Sequence, residues 1–384
     1  MKFLINASNL IIGGAIQVAN AVISELRFHP EHEYCVVCSE QVALSIRDIK
    51  DYPGFIQFKI FSQPSIPKTF FRIIHINPFL DRCVREFSAD AVFTIFGPSY
   101  WKPSVPHLSG YAIPHYVYPD SPFFKSISFL QRLKININKR FHIKSFRNDS
   151  DMLVAENPDV SEKLSVLCPQ KRVVTVSSCC NPIFDTPEFQ KTYKLSPFDG
   201  ISLLTVAANY PHKNYQILPK VAAYLRNRHP AFKFRFVVSL RNGDISVSDD
   251  LKDCFVFIGK VSIHQLPSFY KQVDFMILPT LLECFSASWI DAMKSRVPIL
   301  TSDLPFAHGI CGNAAVYFNP EDPADIGERI VCLAQDKSRQ KELIELGKER
   351  LSLFGNNSTR VSLYLKYLEE LVQNRNNSLK NGKH

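Results

Sequence analysis

Glycine is scarce in this chain: 14 of 384 residues, about half the usual share of roughly 7%. Each glycine in a loop is therefore informative. No hydrophobic run approaches the ~18 residues of a membrane span, which excludes a spanning helix. The ten cysteines are scattered from position 35 to 332, without the dense regular spacing of a small disulfide-built domain. Cys35-Val-Val-Cys38 is a lone CxxC with no second pair or histidine partner. It lies in a strand-like run, where residues three apart face opposite sides. Buried structural thiols in a reducing cytoplasm are expected there, not zinc or redox chemistry. The opening MKFLINASNLIIGGAI has one lysine, and Asn6, Ser8 and Asn9 interrupt its apolar run, so it does not read as a signal peptide. The sequon Asn357-Ser358-Thr359 then carries no weight.

The composition, 46% hydrophobic and 21% charged, is globular and excludes disordered, collagen-like and coiled-coil classes. The length suits two domains. Lys+Arg exceed Asp+Glu by 45 to 36, a net charge of +9. That balance suits an anionic partner: a nucleotide, lipid headgroups or nucleic acid.

Short apolar runs alternate with helical stretches, the mark of α/β units on parallel sheets. Strands are predicted at 2–8, 33–39, 55–61, 91–96, 151–156 and 172–178, with helices at 15–26 and about 69–87. The pattern restarts with strands at 201–208, 232–239, 254–259, 274–280, 297–302 and 314–319. Between the two series lies the polar stretch DTPEFQKTYKLSPFDG, a linker by composition. The expected division is an N-terminal domain over 1–184, a linker over 185–200 and a second domain over 201–355. Residues 356–384 form a last helix that crosses back to the first domain, and a polar tail. The helical pattern over 338–374 is too long for one βα unit.

The sharpest motif is PTLLECFSASWIDAMKSRVPILTS, residues 279–302. A strand ends at Pro279, a loop carries Glu283, and a helix starts near Ser286, a good N-cap residue. Asp291 follows on that helix. In doubly wound sheets ligands bind where strand C-termini meet helix N-termini, where free N–H groups favour phosphate. Two carboxylates placed so can grip sugar hydroxyls; a capped amphipathic helix with a surface acid fits the same residues.

This segment resembles the E-x7-E motif of retaining glycosyltransferases of the GT-B type, glycosyltransferase family 4 (group 1). Pro279-Thr280-Leu281-Leu282-Glu283-Cys284-Phe285-Ser286 and Asp291-Ala292-Met293 through Val297-Pro298 carry the resemblance. It extends through Phe257-Ile258-Gly259, Asp274, Ser302-Asp303-Leu304-Pro305 and Phe318-Asn319-Pro320-Glu321-Asp322. The N-terminal half matches through its first strand and Gly13-Gly14. The resemblance implies two Rossmann-like domains facing across a cleft and transfer of a hexose from a nucleotide sugar, with no metal or other cofactor. Glu283 matches the glutamate that contacts the donor sugar, and Asp291 the one that binds ribose. Phe285 and Ser286 fall where backbone amides approach sugar and phosphate. Cys284 and Ser286 replace two family glycines, and Asp291 is one methylene shorter than glutamate.

In the cluster Asn209-Tyr210-Pro211-His212-Lys213-Asn214, Lys213 matches a lysine that serves the donor diphosphate. The arginine of that basic pair is absent at Ala208 and Asn209, and Arg241 is the candidate substitute. Gly13-Gly14 lacks the G-x-G-x-x-G spacing; it reads as a tight turn or as a loop near the donor. His115, with Asp120 a weaker neighbour, is a candidate contact to donor sugar or acceptor, or a satisfied structural histidine. Glu283 and Lys213 are expected to be replaceable at little cost in stability.

Residues 121–148 hold seven basic residues (Lys125, Arg132, Lys134, Lys139, Arg140, Lys144, Arg147) and no acidic one. Phe123, Ile127, Leu130, Leu133, Ile137 and Phe141 recur at helical steps. Such a helix suits an anionic membrane face, with Arg132, Lys139, Arg140 and Lys144 toward membrane or acceptor; a solvated basic face is the plainer reading. No nucleic-acid motif accompanies it. The function expected is retaining transfer to a glycan or lipid-linked glycan in surface polysaccharide synthesis, in the cytoplasm or on the inner face of its membrane. A sugar-nucleotide epimerase of GT-B shape, or a non-catalytic glycan- or membrane-associated scaffold, are the alternatives.

Overall fold

The computed structural model describes residues 1–11, 13–46, 48–62 and 75–381. The chain forms two compact units. The first takes Met1–Val117, Ser128–Ser177 and the chain from Asn356 onward; the second takes Tyr118–Ile127 and Ser178–Gly355.

The first unit is built on seven parallel strands: β1 (Lys2–Ala7), β2 (Glu33–Ser39), β3 (Ile56–Phe61), β4 (Ala91–Thr94), β5 (His107–Tyr111), β6 (Met152–Ala155) and β7 (Arg172–Thr175). Their order is β3-β2-β1-β4-β5-β6-β7. The direction reverses between β1 and β4, so the C-terminal ends of those two strands form the switch point of a doubly wound sheet. Apolar runs such as Phe3-Leu4-Ile5 and Val92-Phe93 are buried on both faces, as parallel strands covered by helices require. Cys35 and Cys38 go to opposite faces, each in a different core cluster. Burial pushes both thiols up to about 12, so they are inert apolar filling. The helix expected at 69–87 begins at Pro78, because Asn77 caps the Leu80 N–H and Pro78 takes the first turn; residues 69–74 lie outside the described residues.

The helical pattern over 338–374 is two helices, Lys337–Leu351 and Asn357–Asn381. Gly355 separates them at φ 62°, a conformation that favours glycine. The last helix spaces Val361, Tyr364, Leu365 and Leu368 along one face and buries them in the core of the first unit. The Tyr364 ring lies 4.6 Å from Phe93 of β4. Arg360, on the same helix, is bound at 2.8 Å to Glu156 just beyond β6, and both side chains are at least nine-tenths buried. Removing one partner of a buried pair leaves an uncompensated charge and costs about 3–5 kcal/mol. Arg360→Met is therefore expected to destabilise this unit by that order in urea unfolding, and Glu156→Gln placed beside it to recover much of the loss.

The second unit repeats the plan with six parallel strands: β8 (Ile201–Thr205), β9 (Phe234–Val238), β10 (Phe255–Phe257), β11 (Phe275–Leu278), β12 (Ile299–Ser302) and β13 (Ala315–Phe318). The order β10-β9-β8-β11-β12-β13 places a second switch point between β8 and β11. Leu203, Phe236, Ile277 and Leu300 form its core. Five of these strands stop one to three residues short of the predicted ends, and β12 ends at Ser302 as predicted. At β11 the cause is plain, since Pro279 has no N–H to offer the ladder.

Two segments join this unit through specific bonds. Ser121 Oγ donates to the Leu281 carbonyl, and Tyr118 packs edge-on against Phe306 at 5.4 Å. The polar stretch before β8 is fastened by Tyr193 N–H to Ser268 Oγ and Leu195 N–H to Gln272 Oε1, both at 2.9 Å.

Candidate active site

At the β8–β11 switch point two loops meet. The first leaves β8 and turns through Pro211–Lys213 into Asn214, which sits at φ 56°. Asn214 holds that conformation with its Nδ2 on the Pro320 carbonyl at 2.9 Å. The second loop runs from Pro279 to Ser286. The Leu281 N–H donates 2.7 Å to the His212 carbonyl, stitching the loops together. His212 in turn stacks on Tyr210, with ring centroids 5.5 Å apart.

This stitching brings the Lys213 ammonium onto Glu283 Oε1 as a buried ion pair. Thr280 Oγ1 lies 2.9 Å from the same carboxylate oxygen and 3.1 Å from the His212 carbonyl. Its single proton serves one of them at a time. Because both charges are buried, the expectation that either can be removed at little cost in stability does not hold: the survivor would be left unpaired in a poorly solvated place.

Asp291 lies on the helix Ala287–Lys294, whose residues Ser288–Met293 are all buried. The Cys180 thiol faces its Oδ1 at 3.8 Å. Burial raises the Asp291 pKa from 3.8 to about 7, against the thiol contact that lowers it. The carboxyl is thus half neutral near physiological pH, in want of better donors. Ser286 occupies the N-cap position of this helix, but its side chain makes no capping bond; its Oγ does not take the role expected for it. Phe285 lies edge-on to Phe354 at 6.3 Å. Asn209 and Arg241 are exposed in the loops after β8 and β9, and the Arg241 N–H is held by Asp244 at 2.8 Å.

Gly13, Gly14, His115, Arg132, Lys139, Arg140 and Lys144 belong to the first unit, and Asp120 to the second. Gly13 stands at φ 74° before the helix Gly14–Glu25, which has no side-chain cap and no acidic residue in its first turn. A Cβ on Gly14 would meet nothing within 4 Å. His115 lies in the turn Pro114–Val117 after β5, and burial lowers its pKa below 6.5, so the ring is neutral at pH 7. Asp120 is exposed. Arg132, Arg140 and Lys144 are exposed on the helix Phe129–Asp149, whereas Lys139 turns back to the Tyr116 carbonyl at 3.4 Å.

Thr280, Ser121 and Cys180 escape a reading of the sequence. Thr280 stands inside the motif and is the one of the three with a local signal. Ser121 and Cys180 reach the site from 160 and 111 residues away.

Comparisons with known proteins agree with the fold. The family described as "Glycosyl transferases group 1" matches residues 200–336. An O-antigen chain mannosyltransferase, RfbU of Salmonella typhimurium, is 26% identical over 216 residues, a match covering 54% of each chain. The chain thus spans about half the length of that curated relative. A glycosyltransferase of Rickettsia africae superposes with TM-score 0.71 at 13% identity, covering 97% of this chain and 99% of that one. HepE of Anabaena, solved with UDP and glucose, superposes with TM-score 0.65 at 11% identity, covering 96% and 99%. The chain has the GT-B fold of two Rossmann-like domains, and its residues 200–336 match the family of group 1 glycosyltransferases.

Proposed function

We propose that this protein is a retaining hexosyltransferase, moving a hexose from a nucleotide sugar to a glycan or lipid-linked glycan during surface polysaccharide synthesis. The observation that carries the reading is the buried Lys213–Glu283 pair at the β8–β11 switch point, within the stretch matched by the family. The names of the mannosyltransferase relative and of the UDP- and glucose-bound neighbour support a nucleotide-sugar donor and a surface glycan product.

On this reading Lys213 meets the diphosphate and stabilises the charge that grows on it as the C1–O bond breaks. The N-terminus of the helix Ala287–Lys294 adds its N–H groups and dipole, with Phe285 and Ser286 lining the approach. Glu283, freed from the lysine by the incoming phosphates, takes up hydroxyls of the sugar, and Asp291 those of the ribose. The acceptor oxygen attacks C1 on the face the diphosphate leaves, and its proton departs with that diphosphate. Asn209 and Arg241 are assigned to the donor's outer edge, and Gly13, Gly14 and His115 to donor or acceptor contacts. Lys213 and the amides supply the counter-charge, so no metal is required: EDTA-treated protein is expected to keep its transfer rate.

The test is a thermal-shift panel of UDP-, GDP-, ADP- and dTDP-sugars, followed by transfer with the best donor and determination of the product anomer. A ligand at 100 times its dissociation constant adds roughly 2.7 kcal/mol of stability. No stabilisation by any sugar nucleotide would remove the reading; an inverted anomer would remove its retaining part. None of the described helices is long and apolar enough to cross a membrane. A place in the cytoplasm or on its membrane face is part of the same proposal.

A further inference from the structure

The helix Phe129–Asp149 carries two apolar faces, and the first unit uses one of them. Ile143 and Phe146 are buried, with Ser145 and Asp149 beside them. Phe129, Leu130, Leu133, Ile137 and Phe141 are 79, 73, 45, 48 and 39% exposed. At 100° per residue these five fall within an arc of about 120°, roughly opposite the buried residues. Phe123, which the sequence pattern adds to the stripe, is buried in the second unit, so the free stripe begins at Phe129. A capping box between Ser128 and Gln131 fixes the helix start there. The exposed end is therefore a formed helix.

Exposed charge on this helix has one sign. From Phe129 to Asn148 there are six basic residues and no acidic one. Lys134, Arg140 and Lys144 stand exposed in or beside the apolar arc. A second copy of the chain laid on the stripe would set Lys134, Arg140 and Lys144 against like charges. An anionic bilayer surface meets both requirements together, since phosphates pair with the cations while the phenylalanines and leucines enter the acyl boundary.

We infer that the helix Phe129–Asp149 is a lipid-docking surface, lying in the plane of an anionic membrane with Phe129, Leu130, Leu133 and Ile137 inserted. The surface stands independently of the transferase reading and is measured without donor.

The experiment uses the full chain with vesicles of phosphatidylglycerol and phosphatidylethanolamine, and with phosphatidylcholine alone. Trp101 and Trp289 are fully buried, so a tryptophan introduced by Leu133→Trp reports the stripe. Its emission is expected to shift to the blue, and to be quenched by brominated acyl chains, with anionic vesicles only. Co-sedimentation should fall at least tenfold in Lys134→Gln/Arg140→Gln/Lys144→Gln, and equally in Leu130→Gln/Leu133→Gln/Ile137→Gln. All the substituted residues are exposed, so the variants should melt with the wild type, and raised salt should weaken binding because exposed charges are screened within about 8 Å at physiological salt. Equal binding to both vesicles, or retention by the apolar variant, overturns the inference. So does a lipid-free dimer that the apolar variant dissolves, which would give the stripe to a second copy.

Discussion

Removing either charge of the Lys213–Glu283 pair is expected to lower transfer at least tenfold and to destabilise the second unit. The first effect follows from the proposed roles: Lys213 acts on charge that develops only as the diphosphate departs, so its loss should appear in kcat as well as kcat/KM. The second follows from burial. Glu283→Gln keeps the Thr280 contact but leaves an ammonium enclosed without a counter-charge, and Lys213→Met leaves a carboxylate. A loss of about 3 kcal/mol corresponds to roughly 6–12 °C in melting temperature for a unit of this size. The double variant Lys213→Met/Glu283→Gln separates the two effects. It should regain much of the melting temperature, since no unpaired charge remains, yet stay inactive. Normal turnover in the single variants would detach the pair from catalysis and leave it a structural tie between two loops.

Replacing Asp291 by asparagine should raise stability above neutral pH and weaken nucleotide binding. Burial lifts this carboxyl's pKa from 3.8 to about 7. Between those values the unfolded chain has released the proton and the folded chain retains it, so fewer protons are bound in the unfolded state. Stability from this group is then fully present below pH ~4, falls as pH rises toward 7, and levels off above it. Three pKa units at 1.36 kcal/mol each set an upper limit on the order of 4 kcal/mol. Asp291→Asn removes that slope, so chemical unfolding at pH 8 should show the variant more stable than the wild type, with the gap narrowing through pH 5 and closing below pH ~4. Binding should move the opposite way. Ribose hydroxyls donate to the ionised carboxylate, so affinity for a nucleoside diphosphate should rise with pH up to about 7, by at most tenfold per pH unit, and this part of the pH dependence should vanish in Asp291→Asn. Calorimetry of both proteins from pH 5.5 to 8.5 checks it. Identical affinity profiles would show that Asp291 does not touch the nucleotide.

Much of this molecule is legible locally. Parallel strands buried on both faces must be short apolar runs, and turns between strand and helix must carry Gly, Pro, Asn or Ser, so the restart at residue 201 and every strand but β5, whose run His107–Tyr111 is broken by Ser109 and Gly110, are written in the chain. Glu283 and Lys213 are legible for a related reason: each follows the end of a strand beside the order reversal, where a doubly wound sheet exposes its loops to ligand.

Partnership was not legible. Lys213 and Glu283 are 70 residues apart, and only the pairing of β8 with β11 and the bond from Leu281 to His212 make them one buried unit. Asp291 reads as an ordinary helix acid until Cys180 and the packed helix deny it water. The segment 118–127 sits in sequence among strands of the first unit, yet Ser121 and Tyr118 find their partners in the second. The apolar residues of 129–149 form two faces, and periodicity cannot tell which is buried, because the same spacing serves a core and a membrane. The chain itself therefore determined the kind of sheet, the number of units and the loops that carry chemistry, all set by interactions between near neighbours. Which charges neutralise each other, which carboxyl is starved of solvent and which apolar stripe stays uncovered were decided by tertiary structure, since burial and electrostatics depend on what distant segments bring into place.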